Sequence, residues 1–147
     1  MLFYIIAIFV IIVDQISKYW VRVNLKVGEK KEVWQGLLKL AHYQNSGAAF
    51  GIFKGYGRLF VPLAILVTII CIYMLETGEV SGRLIKIGMG LFVGGAIGNA
   101  IDRTLFNQVT DFIQFKFIKG IFNIADYALI FGVLFILIDP IMTEIGN

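Results

Sequence analysis

The chain has 147 residues, enough for one domain; 59% of them are hydrophobic and only 16% are charged. Soluble globular domains are about 45–50% apolar and about 25% charged, so this composition excludes an ordinary soluble domain and predicts an integral membrane protein. The net charge is +3, but the basic residues mostly fall at the ends of apolar runs, where they anchor helices at lipid headgroups. The charge therefore does not indicate a nucleic-acid partner.

A first membrane-spanning helix is predicted over residues 2–23, because about 20 apolar residues cross the hydrocarbon core of a bilayer. This run lacks the basic start and the small-residue cleavage site of a removable signal peptide. Near its end, Asp14 and Lys18 are four residues apart and share one helix face. From spacing alone, an ion pair at the helix end is at least as good an interpretation as a functional site.

Residues 24–57 predict a small folded cap outside the membrane. The apolar pairs at 33–34 and 37–38 suggest a short amphipathic helix lying on the membrane surface. The alternation of apolar and other residues from Leu38 to Tyr43 suits a short strand. Asn45 then opens a segment, 45–51, whose small residues permit close approach of the backbone.

Two more spanning helices are predicted over residues 59–76 and 84–103. In the third helix, Gly90, Gly94 and Gly98 form two overlapping GxxxG patterns, and Asp102 continues the same row. Small residues on one helix face let another helix pack closely. We therefore expect this face to direct Asp102 and the neighbouring Asn99 into the interior of the bundle.

Residues 104–120 are expected to form a second loop, which carries Asp111 on the same side as the cap. A fourth helix is predicted over residues 121–140, with Asn123 and Asp126 on one face of its first turns. The helix ends would then gather polar side chains at one face of the membrane. These are Asp14, Asn99, Asp102, Asp111, Asn123 and Asp126.

Carboxylates in an apolar setting are unfavourable unless they are paired or used, and three lie between residues 102 and 126. When two carboxyl groups approach each other, one retains a proton. The ionised group can then activate water while the other protonates a carbonyl oxygen. Spacing alone does not choose the pair among Asp102, Asp111 and Asp126. Asp102 beside Arg103 suits a structural role, and Asp111 in a loop can approach Asp126 at a helix start, which places that pair modestly ahead.

The chain lacks the residues of other hydrolase classes. Its single histidine, His42, has no accompanying HExxH motif or Cys/His cluster that would hold zinc. No GxSxG motif is present for a serine nucleophile. His42 and Ser46 share a loop, but a single histidine there is far more often structural. The residue inventory therefore argues against a zinc or serine hydrolase.

Five sequence blocks follow one another along nearly the whole chain. They are DQISK at 14–18, NSGAAFG at 45–51, GGAIGNAIDR at 94–103, VTDFI at 109–113 and FNIAD at 122–126. Together they resemble lipoprotein signal peptidase, the signal peptidase II family of bacterial intramembrane aspartic proteases. The resemblance implies a membrane all-α fold: a bundle of four transmembrane helices with a small extracytoplasmic cap of short β-strands and an interfacial amphipathic helix. It also implies one membrane-embedded peptidase domain over residues 1–147.

The resemblance further implies an activity and a location. Both termini would be cytoplasmic, and the active site would lie near the extracytoplasmic face of the bacterial inner membrane. The expected substrate is a diacylglyceryl-modified prolipoprotein embedded in membrane lipid, cleaved just before its lipidated cysteine. Inhibition by globomycin-type peptides and a monomeric state are expected, with no cofactor.

The resemblance also implies residue roles. The catalytic aspartates of the family fall on Asp111 and Asp126. Residues that hold substrate or support the site fall on Asp14, Lys18, Asn45, Asn99, Asp102, Arg103 and Asn123. One position departs from the family pattern, because Tyr127 stands where a serine usually follows the second aspartate.

Two alternatives and one conflict accompany this interpretation. A proton or ion transporter would also carry intramembrane acids, but distributed along the membrane depth. A scaffold that packs through the glycine face would explain the glycines and not the aspartates. The basic residues concentrate on the loop side, which the positive-inside rule places in the cytoplasm. We follow the family's opposite orientation, because a folded, charge-rich cap is a weaker topology signal than a short loop.

Overall fold

The structure, a computed structural model, describes residues 1–47 and 54–145. In chain order its elements are α1 (Leu2–Asn24), β1 (Lys30–Trp34), β2 (Leu38–Asn45), a 3₁₀ turn (Gly57–Leu59), α2 (Phe60–Glu76), α3 (Arg83–Phe106), β3 (Val109–Phe115) and α4 (Ile124–Ile145). Within the described residues, three helical segments are long and apolar enough to cross a membrane: Leu2–Asn24, Gly57–Glu76 and Arg83–Phe106. The first three predicted helices are confirmed to within about a turn, whereas α4 begins and ends later than predicted.

The extramembrane part is a three-stranded antiparallel sheet in the order β1–β2–β3. The amphipathic helix expected around residues 33–38 is therefore wrong, since this segment is the end of β1 and a turn into β2. The turn contains Gly36 at a φ of 68°, a left-handed conformation that glycine adopts without strain. A helix of one or two turns is marginal by itself, and the sheet pairs the same backbone groups.

The loop predicted over residues 104–120 is also wrong in part, because it contains β3. The first four residues of this strand are all buried. A strand buried on both faces has no alternation of apolar and polar residues. The pattern on which a strand prediction depends is therefore missing from this segment.

The α1 and α3 helices pack closely along the predicted glycine face. A Cβ atom added at Gly94 would lie 2.8 Å from Cβ of Val10, and one added at Gly98 would lie 2.7 Å from Oδ2 of Asp14. Only a residue without a side chain allows this approach. The buried face of α1 recurs every three or four residues: Phe3, Ala7, Val10, Asp14, Lys18 and Val21.

The prediction that the glycine face directs Asn99 and Asp102 into the bundle is confirmed, because both side chains are buried. A second close approach joins α3 to α4, where a Cβ atom at Gly95 would collide with the backbone oxygen of Ala125. Helix α3 is thus held between α1 and α4. Polar residues of three helices can therefore meet at the end of the bundle next to the sheet.

Candidate active site

The first group of polar residues lies where β2, β3 and the start of α4 meet the end of α3. We call it the amide-linked pair: the carboxylates of Asp111 and Asp126 with the side-chain amides of Asn45, Asn99 and Asn123. Four of these five were predicted to gather at one membrane face, and the resemblance added Asn45. The structure brings all five together.

Asp111 lies in β3 with a side chain that is almost completely buried. Its Oδ1 accepts a hydrogen bond of 2.7 Å from Nδ2 of Asn123, and its Oδ2 accepts one of 3.1 Å from Nδ2 of Asn45. Pairing of β2 with β3 places Tyr43 opposite Asp111 and brings the end of β2 within reach. Burial, and then the negative charge of Asp126, raise the pKa of Asp111 to about 7, against the lowering effect of these amides and of Lys18.

Asp126 lies in the first turn of α4, three residues after Asn123. The Asp126 backbone N–H donates to Oδ1 of Asn123 (2.9 Å), and the Asn123 backbone N–H donates to Oδ2 of Asp126 (3.1 Å). This reciprocal arrangement is a capping box, which fixes the start of a helix. Asn123 therefore precedes α4, and does not share its first turns as predicted. The other oxygen of Asp126 accepts a hydrogen bond of 2.9 Å from Nδ2 of Asn99.

Asn123 links the two carboxylates. Its side-chain amide donates to Oδ1 of Asp111 and, at 3.1 Å, to Oδ1 of Asn99. Its backbone N–H serves Asp126 at the same time. One fully buried residue thus holds Asp111 and Asp126 in a fixed relation. Within the described residues, every hydrogen bond to these two carboxylates comes from an amide N–H, either of a side chain or of the backbone.

A second group, the cation-paired cluster, consists of Asp14 and Asp102 with Gln15, Lys18 and Arg22. The Lys18 ammonium lies 2.8 Å from Oδ2 of Asp14 and 3.6 Å from Oδ2 of Asp102, and all three side chains are fully buried. Arg22 Nη1 lies 3.5 Å from Oδ1 of Asp102. The Gln15 amide donates to both carboxylates. The predicted pairing of Asp14 with Lys18 is confirmed, and it occurs inside the bundle.

The cation-paired cluster also fixes the elements that carry the amide-linked pair. Lys18 donates a hydrogen bond of 3.0 Å to Oδ1 of Asn99, which turns the Asn99 amide nitrogen towards Asp126. Oδ1 of Asp14 accepts from the backbone N–H of Ala125 at 2.9 Å. Oδ2 of Asp102 accepts from the backbone N–H of Thr110 at 3.0 Å. Each of these two backbone groups is adjacent in sequence to Asp126 or Asp111.

Arg103 and Tyr127 complete the surroundings of the site. The Arg103 guanidinium lies over the ring of Phe60, 4.9 Å from its centroid. Asp102 forms its ion pairs with Lys18 and Arg22 of α1. Its charge is therefore balanced from another helix as well as by Arg103, its neighbour in sequence. The Tyr127 ring packs against Phe122, and its buried hydroxyl finds no hydrogen-bond partner in the described part of the chain.

Sequence reasoning missed Gln15, Arg22 and Thr110. A signal existed for Arg22, because it continues the i+4 row of Asp14 and Lys18; none existed for Gln15 or Thr110. His42 is structural, as expected, with its Nδ1 2.8 Å from the backbone oxygen of Leu25. Among residues 1–47 and 54–145, no group of three or more His, Cys, Asp or Glu side chains could hold a metal ion.

The fold and the site define a helical membrane protein in which the buried carboxylate of Asp111 and the half-buried carboxylate of Asp126 are joined through amides at one end of the bundle. Residues 6–142 match the model of the family described as Signal peptidase (SPase) II. The chain belongs to the signal peptidase II family. Membership makes it a peptidase, and hence a hydrolase.

Individual relatives are similar in sequence to this chain over nearly its full length. The chain is 42% identical over 130 residues to a lipoprotein signal peptidase of Shouchella clausii, covering 88% of this chain and 86% of that protein. It is 38% identical over 141 residues to a lipoprotein signal peptidase of Listeria welshimeri, covering 94% and 92%. A bacterial membrane enzyme solved by the in meso method superposes with a TM-score of 0.87 at 34% identity, covering 97% of this chain and 88% of that one.

Proposed function

We propose that this protein is an aspartic endopeptidase that removes the signal peptide from diacylglyceryl-modified prolipoproteins by cleaving just before the lipidated cysteine. Asp111 and Asp126 are the catalytic residues in this proposal. Membership of the signal peptidase II family and the relatives named lipoprotein signal peptidase support the substrate class. The observation that carries the mechanism is the amide-linked pair, in which Asn123 bonds both carboxylates.

The two groups of carboxylates suit different tasks. In the cation-paired cluster, the buried ammonium of Lys18 compensates the charges of Asp14 and Asp102 and holds both side chains in place. The amide-linked pair has no such cation in direct contact among the described residues, and Asp111 has a pKa raised to about 7. A pair of this kind can hold one shared proton at neutral pH.

The proposed reaction uses that proton. Water lies between the two carboxyl groups; Asp126, ionised, accepts a proton from it as the oxygen attacks the scissile carbonyl carbon. Asp111, protonated, donates its proton to the carbonyl oxygen, which gives a neutral tetrahedral diol. The proton on Asp126 then passes to the leaving nitrogen, the C–N bond breaks, and Asp111 recovers a proton from the diol.

The proposed membrane arrangement has four transmembrane helices, with α4 as the fourth, and one peptidase domain over residues 1–147. The termini would be cytoplasmic, and the end of the bundle that carries the sheet would face the extracytoplasmic side of the bacterial inner membrane. The chain would act as a monomer. The residue-24–57 cap would lie over the substrate peptide near the amide-linked pair.

An apolar groove supports entry of the substrate's lipid anchor from the side. It lies between α2 and α3, has a volume of about 400 Å³ and is lined by residues that include Ala64, Thr68, Ile97, Ile101 and Leu105. Its walls belong to the same end of α3 as Asn99 and Asp102. A diacylglyceryl chain seated there would leave its peptide near the carboxylates.

The proposal is tested by cleavage of a diacylglyceryl-modified prolipoprotein by the purified protein in detergent. We expect Asp111→Asn and Asp126→Asn each to lose at least about 10³-fold in kcat, because either change removes an acid–base group. Asp102→Asn should be weakened and still active. Globomycin should block the wild type.

Two results would contradict the proposal. Full cleavage by Asp111→Asn would remove this residue from the dyad while leaving the substrate class intact. A folded wild type that leaves the lipid-modified substrate uncut would overturn the function itself. Ion or proton flux in liposomes would then be measured, since a transporter is the alternative for intramembrane acids.

A further inference from the structure

A second groove lies at the tip of the sheet, where the β1–β2 turn meets the segment that follows β3. Its volume is about 490 Å³. Four lysines line it: Lys30, Lys39, Lys116 and Lys119. All four are exposed, and none forms an ion pair within the described residues.

The strand register explains why these charges gather. Lys39 in β2 lies directly opposite Gln114 in β3, so their side chains share one face of the sheet. Lys116 lies two residues beyond Gln114 and continues that face. Glu32 in β1 lies opposite Lys39 but is not among the residues that line the groove. The four lysines therefore give the groove a strong excess of positive charge.

An unused hydrogen-bonding group lies in the same groove. Gln114 is among its lining residues, and the Oε1 atom of Gln114 is buried without a hydrogen-bond partner in the described part of the chain. This oxygen is closed to solvent, so the four lysines determine the chemistry of the ligand. They call for an anion.

Apolar side chains surround the groove at the tip. Trp34 is 65% exposed, Phe117 79% and Ile118 47%, although none of them lies in a membrane-spanning helix. Tryptophan and other amphipathic side chains are enriched where a protein meets the headgroup layer. Phe115 packs against Tyr127 in the first turns of α4, with ring centroids 6.4 Å apart, so the tip stays beside the end of the helical bundle.

We propose that this basic groove binds the phosphate headgroup of an anionic phospholipid and thereby docks the tip of the sheet on the membrane surface. Lysines near an anionic membrane each add about 1 kcal/mol, or roughly fivefold, to binding. The exposed apolar residues enter the headgroup layer beside them. Phosphatidylglycerol is an anionic phospholipid of this kind.

The test uses the full chain in nanodiscs of phosphatidylcholine. The background variant Trp20→Phe leaves Trp34 as the sole tryptophan, since the chain contains two. Quenching of Trp34 fluorescence is measured with a small fraction of either brominated phosphatidylglycerol or brominated phosphatidylcholine. We expect phosphatidylglycerol to quench more strongly at equal fraction, and added salt to reduce the difference.

The groove variant replaces Lys30, Lys39, Lys116 and Lys119 by glutamine. It should lose the preference for phosphatidylglycerol by more than about tenfold in apparent affinity. A matched control replaces four lysines outside the groove, Lys26, Lys31, Lys54 and Lys86, with the same loss of charge; it should keep the preference. If the groove variant does not fold, the pair Lys39→Gln and Lys116→Gln replaces it.

Three outcomes would overturn the proposal. Equal loss in the control variant would mean that net charge, and not the groove, attracts the lipid. Displacement of the lipid by inorganic phosphate at matched ionic strength would mean that the groove takes free phosphate. Tighter binding of an acidic peptide than of phosphatidylglycerol would assign the groove to a protein segment.

Discussion

The amide-linked pair and the cation-paired cluster contain the same acidic residue type in the same buried end of the bundle, yet they differ in what surrounds the carboxylates. Asp14 and Asp102 share the ammonium of Lys18 at 2.8 and 3.6 Å. Asp111 and Asp126 are bonded by asparagine amides and backbone N–H groups. The first two carboxylates have direct cationic partners, whereas the second two have amide N–H partners that hold them in place.

This difference separates a group of carboxylates that stabilises the fold from a group that we propose takes part in the reaction. The cation-paired cluster organises the helices, because its oxygens also bond the backbone beside Asp111 and Asp126. In the proposed mechanism the amide-linked pair holds the proton that moves, and no cation contacts it directly within the described residues. Variants of the two groups and a change of pH test this separation of tasks.

The largest effect is expected from Lys18→Met, which removes the shared cation. The buried carboxylates of Asp14 and Asp102 would then have only Arg22 as a nearby cation. Leaving a buried charge unpaired costs about 3–5 kcal/mol. We expect a corresponding loss in thermal stability in detergent, measured by unfolding. The double variant Lys18→Met/Asp14→Asn should recover part of this loss, and the exposed control Lys54→Met should show none. Unchanged stability of Lys18→Met would mean that the cluster does not hold the fold.

A smaller effect is expected from Asn99→Ala, which removes the hydrogen bond to Asp126 and a partner of Lys18. Hydrogen bonds to charged groups contribute about 1.5–3 kcal/mol. We therefore expect kcat to fall about 10- to 150-fold in the prolipoprotein cleavage assay, with little change in KM. Asn24→Ala, which changes an exposed asparagine at the end of α1, should leave kcat unaltered. Equal kcat in the two variants would argue against a positioning role for Asn99.

Gly98→Ala and Gly94→Ala separate packing from positioning. Both added methyl groups meet α1, at Asp14 and Val10 respectively, and each should lower stability by about 1–3 kcal/mol. Only Gly98→Ala displaces Asp14, which bonds the start of α4. We expect this variant alone to lose activity per folded molecule, by severalfold. A similar loss in both variants would show that activity follows general packing.

The last expected effect is on the pH dependence of kcat/KM. Because the pKa of Asp111 is raised to about 7, its carboxyl group is protonated below that value and loses the proton above it. The proposed reaction needs that proton, so kcat/KM should fall as pH rises through about 7, approaching tenfold for each further pH unit. The profile reports the pair of carboxyl groups, not one residue alone. Activity that stays level well above this pH would exclude Asp111 as the proton donor.

Much of the architecture could be predicted because it depends on local patterns. Runs of apolar residues define the spanning helices through the thickness of the bilayer. The spacing of Gly90, Gly94 and Gly98 correctly predicted a close helix contact and the burial of Asn99 and Asp102. The five blocks identified the family. The roles of Asp111 and Asp126, which the resemblance supplied, stay predictions.

Other features could not be predicted, because long-range contacts determine them. The segment around residues 33–38 has apolar spacing that fits a helix, but pairing with β2 makes it a strand and a turn. The segment at 109–112 is buried on both faces, so it lacks the alternation of a strand. Asn123 was placed inside α4, whereas its reciprocal bonds with Asp126 make it the cap of that helix.

The sequence by itself determined that this protein lies in a membrane, belongs to one family and gathers its polar residues at one end of a helical bundle. These properties follow from hydrophobicity, spacing and motif, all of which are local. Contacts between distant segments determine which carboxylates form ion pairs with cations and which accept hydrogen bonds from amides. Oδ1 of Asp14 accepts a hydrogen bond from the backbone N–H of Ala125, 111 residues away. Arg22 in α1 forms an ion pair with Asp102 in α3. Such partners are chosen by packing in three dimensions, and the spacing of residues along the chain does not specify them.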